Sequence, residues 1–234
     1  MKAIFKRELL AYFRTPIGYV FICAMYLFTG FYFFTNNIFL NTTDSSMMFS
    51  MMFSVVLFLV PILTMRLLSE DRRTKTDQTL LTSPVSRPVI VISKYLAALC
   101  VYAIAISGTL GTMLIMQIYA QPEWPVVVGN FIGLFLLGAT LIAICLFISS
   151  LTENQVIAAV GGFGASLFLI LFDSMRFVVM NRFLREFFTQ MSFNGRYRGF
   201  TIGIIDFADV TFFVSIALCF LCFTMIVLER RRWN

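Results

Sequence analysis

The chain has 234 residues, of which 59% are hydrophobic and only 13% charged; it contains 28 Phe and carries a formal net charge of +6. That balance argues against a soluble globular domain and for a helical membrane bundle. The chain has no His, which removes the commonest metal ligand and general base, and with them His-ligated haem and the HExxH zinc motif.

In chain order, residues 2–14 (KAIFKRELLAYFR) come first. Phe5, Leu9, Tyr12 and Phe13 recur at helical spacing on one face, while Lys2, Lys6, Arg7 and Arg14 occupy the rest. This is the pattern of an amphipathic helix lying in the inner membrane surface; a basic, frayed tail is the alternative. Thr15-Pro16 breaks the helix. Six uncharged apolar stretches follow, at 18–40, 47–65, 95–120, 126–151, 155–172 and 210–228. A hydrocarbon core roughly 30 Å thick is crossed by about 20 helical residues, and helices are required because backbone groups cannot be left unpaired in lipid. The expectation is an all-α integral membrane protein with one domain, residues 1–234, and no room for a separate catalytic domain. No cleavable signal peptide is expected, because the first apolar run is far longer than a signal h-region.

Charge sets the orientation. Lys2, Lys6, Arg7 and Arg14 precede the first span, Arg66, Arg72, Arg73, Lys75, Arg87 and Lys94 lie between the second and third, and Arg230, Arg231 and Arg232 close the chain. The positive-inside rule then makes both termini and the second connector cytoplasmic. Asn41 to Ser46 and Gln121 to Pro125 carry no Lys or Arg and belong outside, so a cysteine at Ser45 should react with an impermeant reagent. One segment dissents: 173–209 should be external yet holds Arg176, Arg182, Arg185, Arg196 and Arg198.

The middle of each span lacks the ionisable residues on which ion-coupled carriers depend, and no GxxxxGK[ST] loop is present to bind nucleotide. An energy source would have to be a separate subunit. Cys23, Cys100, Cys145, Cys219 and Cys222 all fall within spans; they read as small apolar side chains, Cys219 and Cys222 having no second pair to complete a metal site. Gly129 and Gly133 form a GxxxG, and Gly161, Gly162 and Gly164 cluster in the fifth span, as close helix packing or a hinge would require.

The cytoplasmic connector, 69–88, is too charged for the bilayer and too organised for a linker. Thr74 to Thr82 allows about two helical turns presenting Leu80 and Leu81, with Ser83-Pro84 as a stop. An exposed leucine pair on a short helix suits docking into a groove on another protein; an ordinary charged loop is the alternative. In the outer segment, 173–209, Phe177, Met180, Leu184, Phe187 and Met191 line one side, with Arg182, Arg185 and Glu186 near the other. Short helices on or in the outer leaflet are expected. Their arginines could meet lipid phosphates or an anionic cargo, or serve as interfacial anchors alone.

The run from Leu68 to Leu96, with its charged E-D-R-R opening, its T-x-x-x-L-L-T-S-P-V-S core and its K-Y-L resumption, resembles the ABC-2 type permeases, membrane subunits of ATP-driven exporters. Three further landmarks recur in order: K-R-E-L-x-x-Y-F-R-T-P-I-G-Y (Lys6 to Tyr19), S-S-L-T-E-N-Q (Ser149 to Gln155) and G-I-I-D-F-A-D-V-x-x-F (Gly203 to Phe213). The last, with the small size, is most similar to the gliding-motility-type branch. Lys75-Thr76 departs from the Gly-Thr common in the family.

The resemblance implies that residues 2–14 form an elbow helix and that Thr74, Lys75, Thr76, Asp77, Gln78, Thr79, Leu80 and Leu81 form a coupling helix on a separate ABC ATPase subunit. Ser149 to Gln155 would be a minor second contact. It further implies a dimer with a second, like or unlike, permease chain, an optional accessory membrane subunit, and contact with membrane lipids. ATP and Mg would be bound by the partner ATPase, with no cofactor in this chain; nucleic acid is not an expected partner. The expected location is a bacterial or archaeal plasma membrane. Competing readings are an integral-membrane enzyme acting on lipid, for which Asp173, Glu186, Asp206 and Asp209 form no recognisable motif, and a non-transporting anchor of a larger complex. The cargo is not legible.

Overall fold

Apolar stretches of this length satisfy their backbone hydrogen bonds internally, and every regular element among the described residues is helical. The structure is a computed structural model that describes residues 2–73, 87–119, 122–178 and 181–230. Helix α1 is Lys2–Arg14. Pro16, whose ring suits a first helical turn, starts α2, Pro16–Phe33, which continues as a π-turn over Phe34–Ile38. Next come α3 (Ser46–Thr64), α4 (Ser69–Arg73), α5 (Arg87–Tyr119), α6 (Trp124–Leu151), α7 (Gln155–Val178), α8 (Arg182–Gln190), α9 (Phe193–Thr201) and α10 (Phe207–Arg230). Among the described residues, six segments are long and apolar enough to cross a membrane.

The helices are not equivalent. The most apolar stretch of α6 is 67% buried, against 17% in α7, 22% in α10 and 28% in the first span, so α6 is the axis of the bundle and the others are its rim. Around α6 pack α10, α3, α5, α7 and α9, while α2 lies against α5 and α3. The outward surfaces of the rim are apolar, including Val156, Val160, Phe168, Leu218 and Phe223, as lipid contact requires. Cys23, Cys219 and Cys222 are exposed there, Cys145 is buried and Cys100 is intermediate; all are free thiols.

Small residues set the closest approaches. A Cβ on Gly133 would come within 2.6 Å of the Phe200 side chain, and one on Gly162 within 2.9 Å of Pro61. The GxxxG of α6 therefore receives the short helix α9 as a close-packed neighbour. Gly164 has open space around it.

The helix α9 does not lie on the surface. Phe193, Tyr197, Phe200 and Thr201 are all buried, and the Tyr197 hydroxyl donates to the Phe49 carbonyl at 2.8 Å. It fills the end of the bundle formed by the start of α3 and the end of α7. By contrast α8 has no buried residue, and Arg182, Phe183 and Arg185 are exposed.

Candidate functional site

Two polar regions lie at opposite ends of the bundle. The first is at the end that carries α1 and α4. On α1, Tyr12 is buried, Phe5, Leu9 and Phe13 are half-buried, and Lys2, Lys6, Arg7 and Arg14 are exposed, as amphipathic spacing demands. The Tyr12 hydroxyl donates to the Leu63 carbonyl at 3.0 Å, fixing α1 to the end of α3. Burial pushes the Tyr12 phenol well above its ordinary value.

At the centre of this end is Lys94, 1% exposed. Its Nζ lies 2.7 Å from Asp71 Oδ2 and 3.1 Å from Glu8 Oε2, and donates to the Leu67 carbonyl at 2.6 Å. One ammonium thus joins α1, α4 and α5. Burying a lone lysine is strongly unfavourable, and two carboxylates with a carbonyl offset that cost. Arg66 adds a second tie, pairing with Glu70 at 2.6 Å and donating to Thr15 Oγ1 at 2.6 Å.

The other side of α4 is held by α6 and the turn after it. Ser149 Oγ accepts from the backbone N–H of Leu68 and of Ser69, both at 3.2 Å, and donates to the Met65 carbonyl at 3.3 Å. Arg72 meets Glu153 at 3.0 Å. The residues that lead into the connector are therefore braced on three sides, by α1, α5 and the Ser149 to Gln155 turn. The connector residues singled out from sequence, Thr74 to Leu81, lie outside the described residues.

The second region is at the far end, where a cavity of about 630 Å³ opens between the start of α3, the end of α7 and α9. Asp44, Ser46, Ser50, Ser54, Asp173, Ser174, Asn194, Arg198 and Thr201 supply its polar lining. Asp44 lies in the loop after the π-turn, which Asn37 closes by donating to the carbonyls of Thr42 at 3.2 Å and Asp44 at 3.1 Å. Asp173 is 7% exposed; its Oδ2 accepts from the Asn194 N–H at 3.0 Å, and its buried Oδ1 has no hydrogen-bond partner among the described residues.

The arginines of this segment whose side chains are described do not share one environment. Arg196 Nη1 pairs with Asp209 at 2.7 Å, its Nε donates to the Gln190 carbonyl at 2.8 Å, and its guanidinium lies 4.3 Å from the Phe212 ring centroid. It ties α9 to α10 and to the end of α8. Arg182 and Arg185 are exposed on α8, and Arg176 lies in the last turn of α7, described at the backbone only. Of the four arginines whose side chains are described, Arg198 lines the cavity.

Sequence reading missed the Lys94 cluster and the pairing of Asp44 with Asp173 across one cavity. The apolar run Val89–Ile92 ahead of Lys94 was the available signal for the first, since it lets the helix of the third span begin before the lysine. The second had none, because its residues are far apart in the chain. Ser45, chosen from sequence as accessible, is buried, because its carbonyl accepts the first α3 bond from Phe49 at 3.1 Å and its side chain is covered as the helix begins.

A family model described as ABC-2 family transporter protein matches residues 4–228. No curated protein matches the chain.

Proposed function

Because the chain belongs to the ABC-2 family of transporter proteins, we propose that it is the membrane permease subunit of an ATP-driven exporter, energised by an ATPase in a separate subunit. That subunit binds ATP and Mg. Its closure is passed to this chain through residues 74–81, with Leu80 and Leu81 seated in an apolar groove of the ATPase. The permease contributes geometry to transport and no bond-making chemistry. It works beside a second permease chain, with both termini on the cytoplasmic side of a bacterial or archaeal plasma membrane, and with accessory membrane subunits in the manner of the gliding-motility-type branch.

The observation that carries the reading is the bracing of the connector's root. Lys94 binds Asp71 of α4 to Glu8 of α1, and Ser149 holds the first turn of α4 to α6. A push delivered beyond Arg73 is then shared by α1, α5 and the axial helix α6 rather than absorbed by a slack loop. A buried, hydrogen-bonded cluster transmits displacement because its alternatives leave charges unpaired.

The deciding experiment is co-purification of the ATPase with Leu80→Asp/Leu81→Asp beside Arg72→Ala/Arg73→Ala. Burying two leucines contributes on the order of 3–5 kcal/mol before association costs, so the first variant should lose the ATPase. Arg72 faces a Glu153 that is 68% exposed, a surface pair of little worth, so the second should retain it. Equal retention would leave the connector as an ordinary loop. ATPase activity that responds to reconstitution with this chain separates a permease from a lipid-acting enzyme and from an inert anchor.

A further inference from the structure

The cavity between α3, α7 and α9 has an unusual balance of hydrogen-bonding groups. The hydroxyl protons of Ser50, Ser174 and Thr201 are committed to the carbonyls of Ser46, Ile170 and Arg198, at 2.8, 3.0 and 2.9 Å. These side chains therefore offer lone pairs to the cavity. Asp173 lines the cavity with an Oδ1 that has no hydrogen-bond partner among the described residues, and Asp44 adds a second carboxylate, whose Oδ1 accepts from the Ser46 N–H at 2.9 Å. Against these acceptors stand the hydroxyls of Ser46 and Ser54, the Asn194 side-chain amide and the guanidinium of Arg198, which is exposed and forms no ion pair among the described residues.

An acceptor-rich cavity with two carboxylates and one cation selects a ligand rich in N–H donors and positively charged where it enters. A buried carboxylate oxygen left bare is costly, and the group that removes the cost most fully is an ammonium with several protons. We propose that this cavity binds a primary ammonium group on Asp173, the ligand's phosphate resting on Arg198. An ethanolamine-phosphate headgroup has this chemistry, carried by a lipid or free in solution. A choline headgroup has the same charge but no N–H to donate, so the site should discriminate against it. The inference deepens the transport reading, and rests on it only in taking this end as the outer one.

The test is a binding measurement on the purified full chain, independent of any ATPase. In one arm the chain sits in nanodiscs of phosphatidylcholine doped with phosphatidylethanolamine, and native mass spectrometry counts the retained headgroups. In the other, phosphoethanolamine is titrated against the chain in phosphatidylcholine discs, with phosphocholine as the comparison. Wild type should favour the primary amine, and Asp173→Asn, which keeps an oxygen for the Asn194 N–H, should bind it about ten- to a hundredfold more weakly.

Ser54→Phe, which fills the cavity without touching Asp173, should abolish binding and serves if Asp173→Asn does not fold. Arg182→Ala, away from the cavity, should bind as wild type. Preference in the first arm identifies a lipid; preference in the second alone identifies a soluble amine. No preference for the primary amine in either arm, or undiminished binding in the cavity variants, overturns the proposal, even if the chain still stimulates its ATPase.

Discussion

The side chain on which the end carrying α1 and α4 depends most is Lys94. Removing one partner from a buried ion cluster leaves the others uncompensated, at a cost of about 3–5 kcal/mol. Lys94→Met should therefore lower the thermal midpoint of the detergent-solubilised chain sharply, by leaving Glu8 and Asp71 without their shared ammonium. Adding Glu8→Gln and Asp71→Asn to that variant should restore much of the loss. An unchanged midpoint for Lys94→Met would show that the cluster does not bear on stability.

Two buried phenols give a pH signature of their own. Tyr12 and Tyr197 are both pushed up by burial from the ordinary phenol value of about 10, and each donates its proton to a carbonyl. Below that value the phenols are neutral whether the chain is folded or not, and their stabilisation is complete. As pH rises past it, the unfolded phenols ionise while the folded ones keep their protons, so stability falls. Melting between about pH 9 and 11 should become less pH-dependent in Tyr12→Phe/Tyr197→Phe, at a cost near neutrality of about 1 kcal/mol per lost hydrogen bond. An equally steep profile in the variant would assign the alkaline loss elsewhere.

At the scale of the element, α9 is decided by its neighbour. A helix of nine residues (FNGRYRGFT) cannot stand alone, and it exists where Phe200 enters the space left by Gly133. Gly133→Ala puts a methyl group 2.6 Å from that side chain and should cost about 1–3 kcal/mol through overpacking. Gly164→Ala, with nothing within 4 Å, should be neutral or gain up to about 1 kcal/mol from helix propensity. Thermal melts of the two variants side by side check this, and equal effects would mean that Gly133 does not set the seat of α9. The helix α4 is held the same way, by Ser149 and Lys94 and not by its five residues.

At the scale of the whole molecule, the sidedness expected from the charge distribution can be mapped on a cysteine-free background. Cysteine at Thr43, which is exposed, should react with an impermeant reagent from outside, while cysteine at Ser45, two residues away and buried, should be protected. Tags on both termini should be reached only from the cytoplasm. Labelling at Thr43 from the cytoplasmic side would invert the bundle. The rim helices present apolar faces around a dense axis at α6, the distribution of a bundle whose periphery meets lipid or a second chain.

The spans, their number and the amphipathic face of α1 were legible in the chain, because each depends on a local property: length, apolarity or periodicity. The coupling role proposed for Thr74 to Leu81 rests on the leucine pair in the sequence and on the family. Only the tertiary structure decided which charges meet. Lys94 looked like the last residue of a polar connector until α5 was seen to start at Arg87, enclosing the lysine between carboxylates of two other helices. Arg196 and Arg198 are two residues apart on one helix, yet one is locked to Asp209 and the other lines a cavity. Asp173 reads in sequence as an ordinary interfacial acid; α9, folded back onto the bundle end, buries it. The partner of a buried charge is a matter of which helices touch, and no local pattern encodes that.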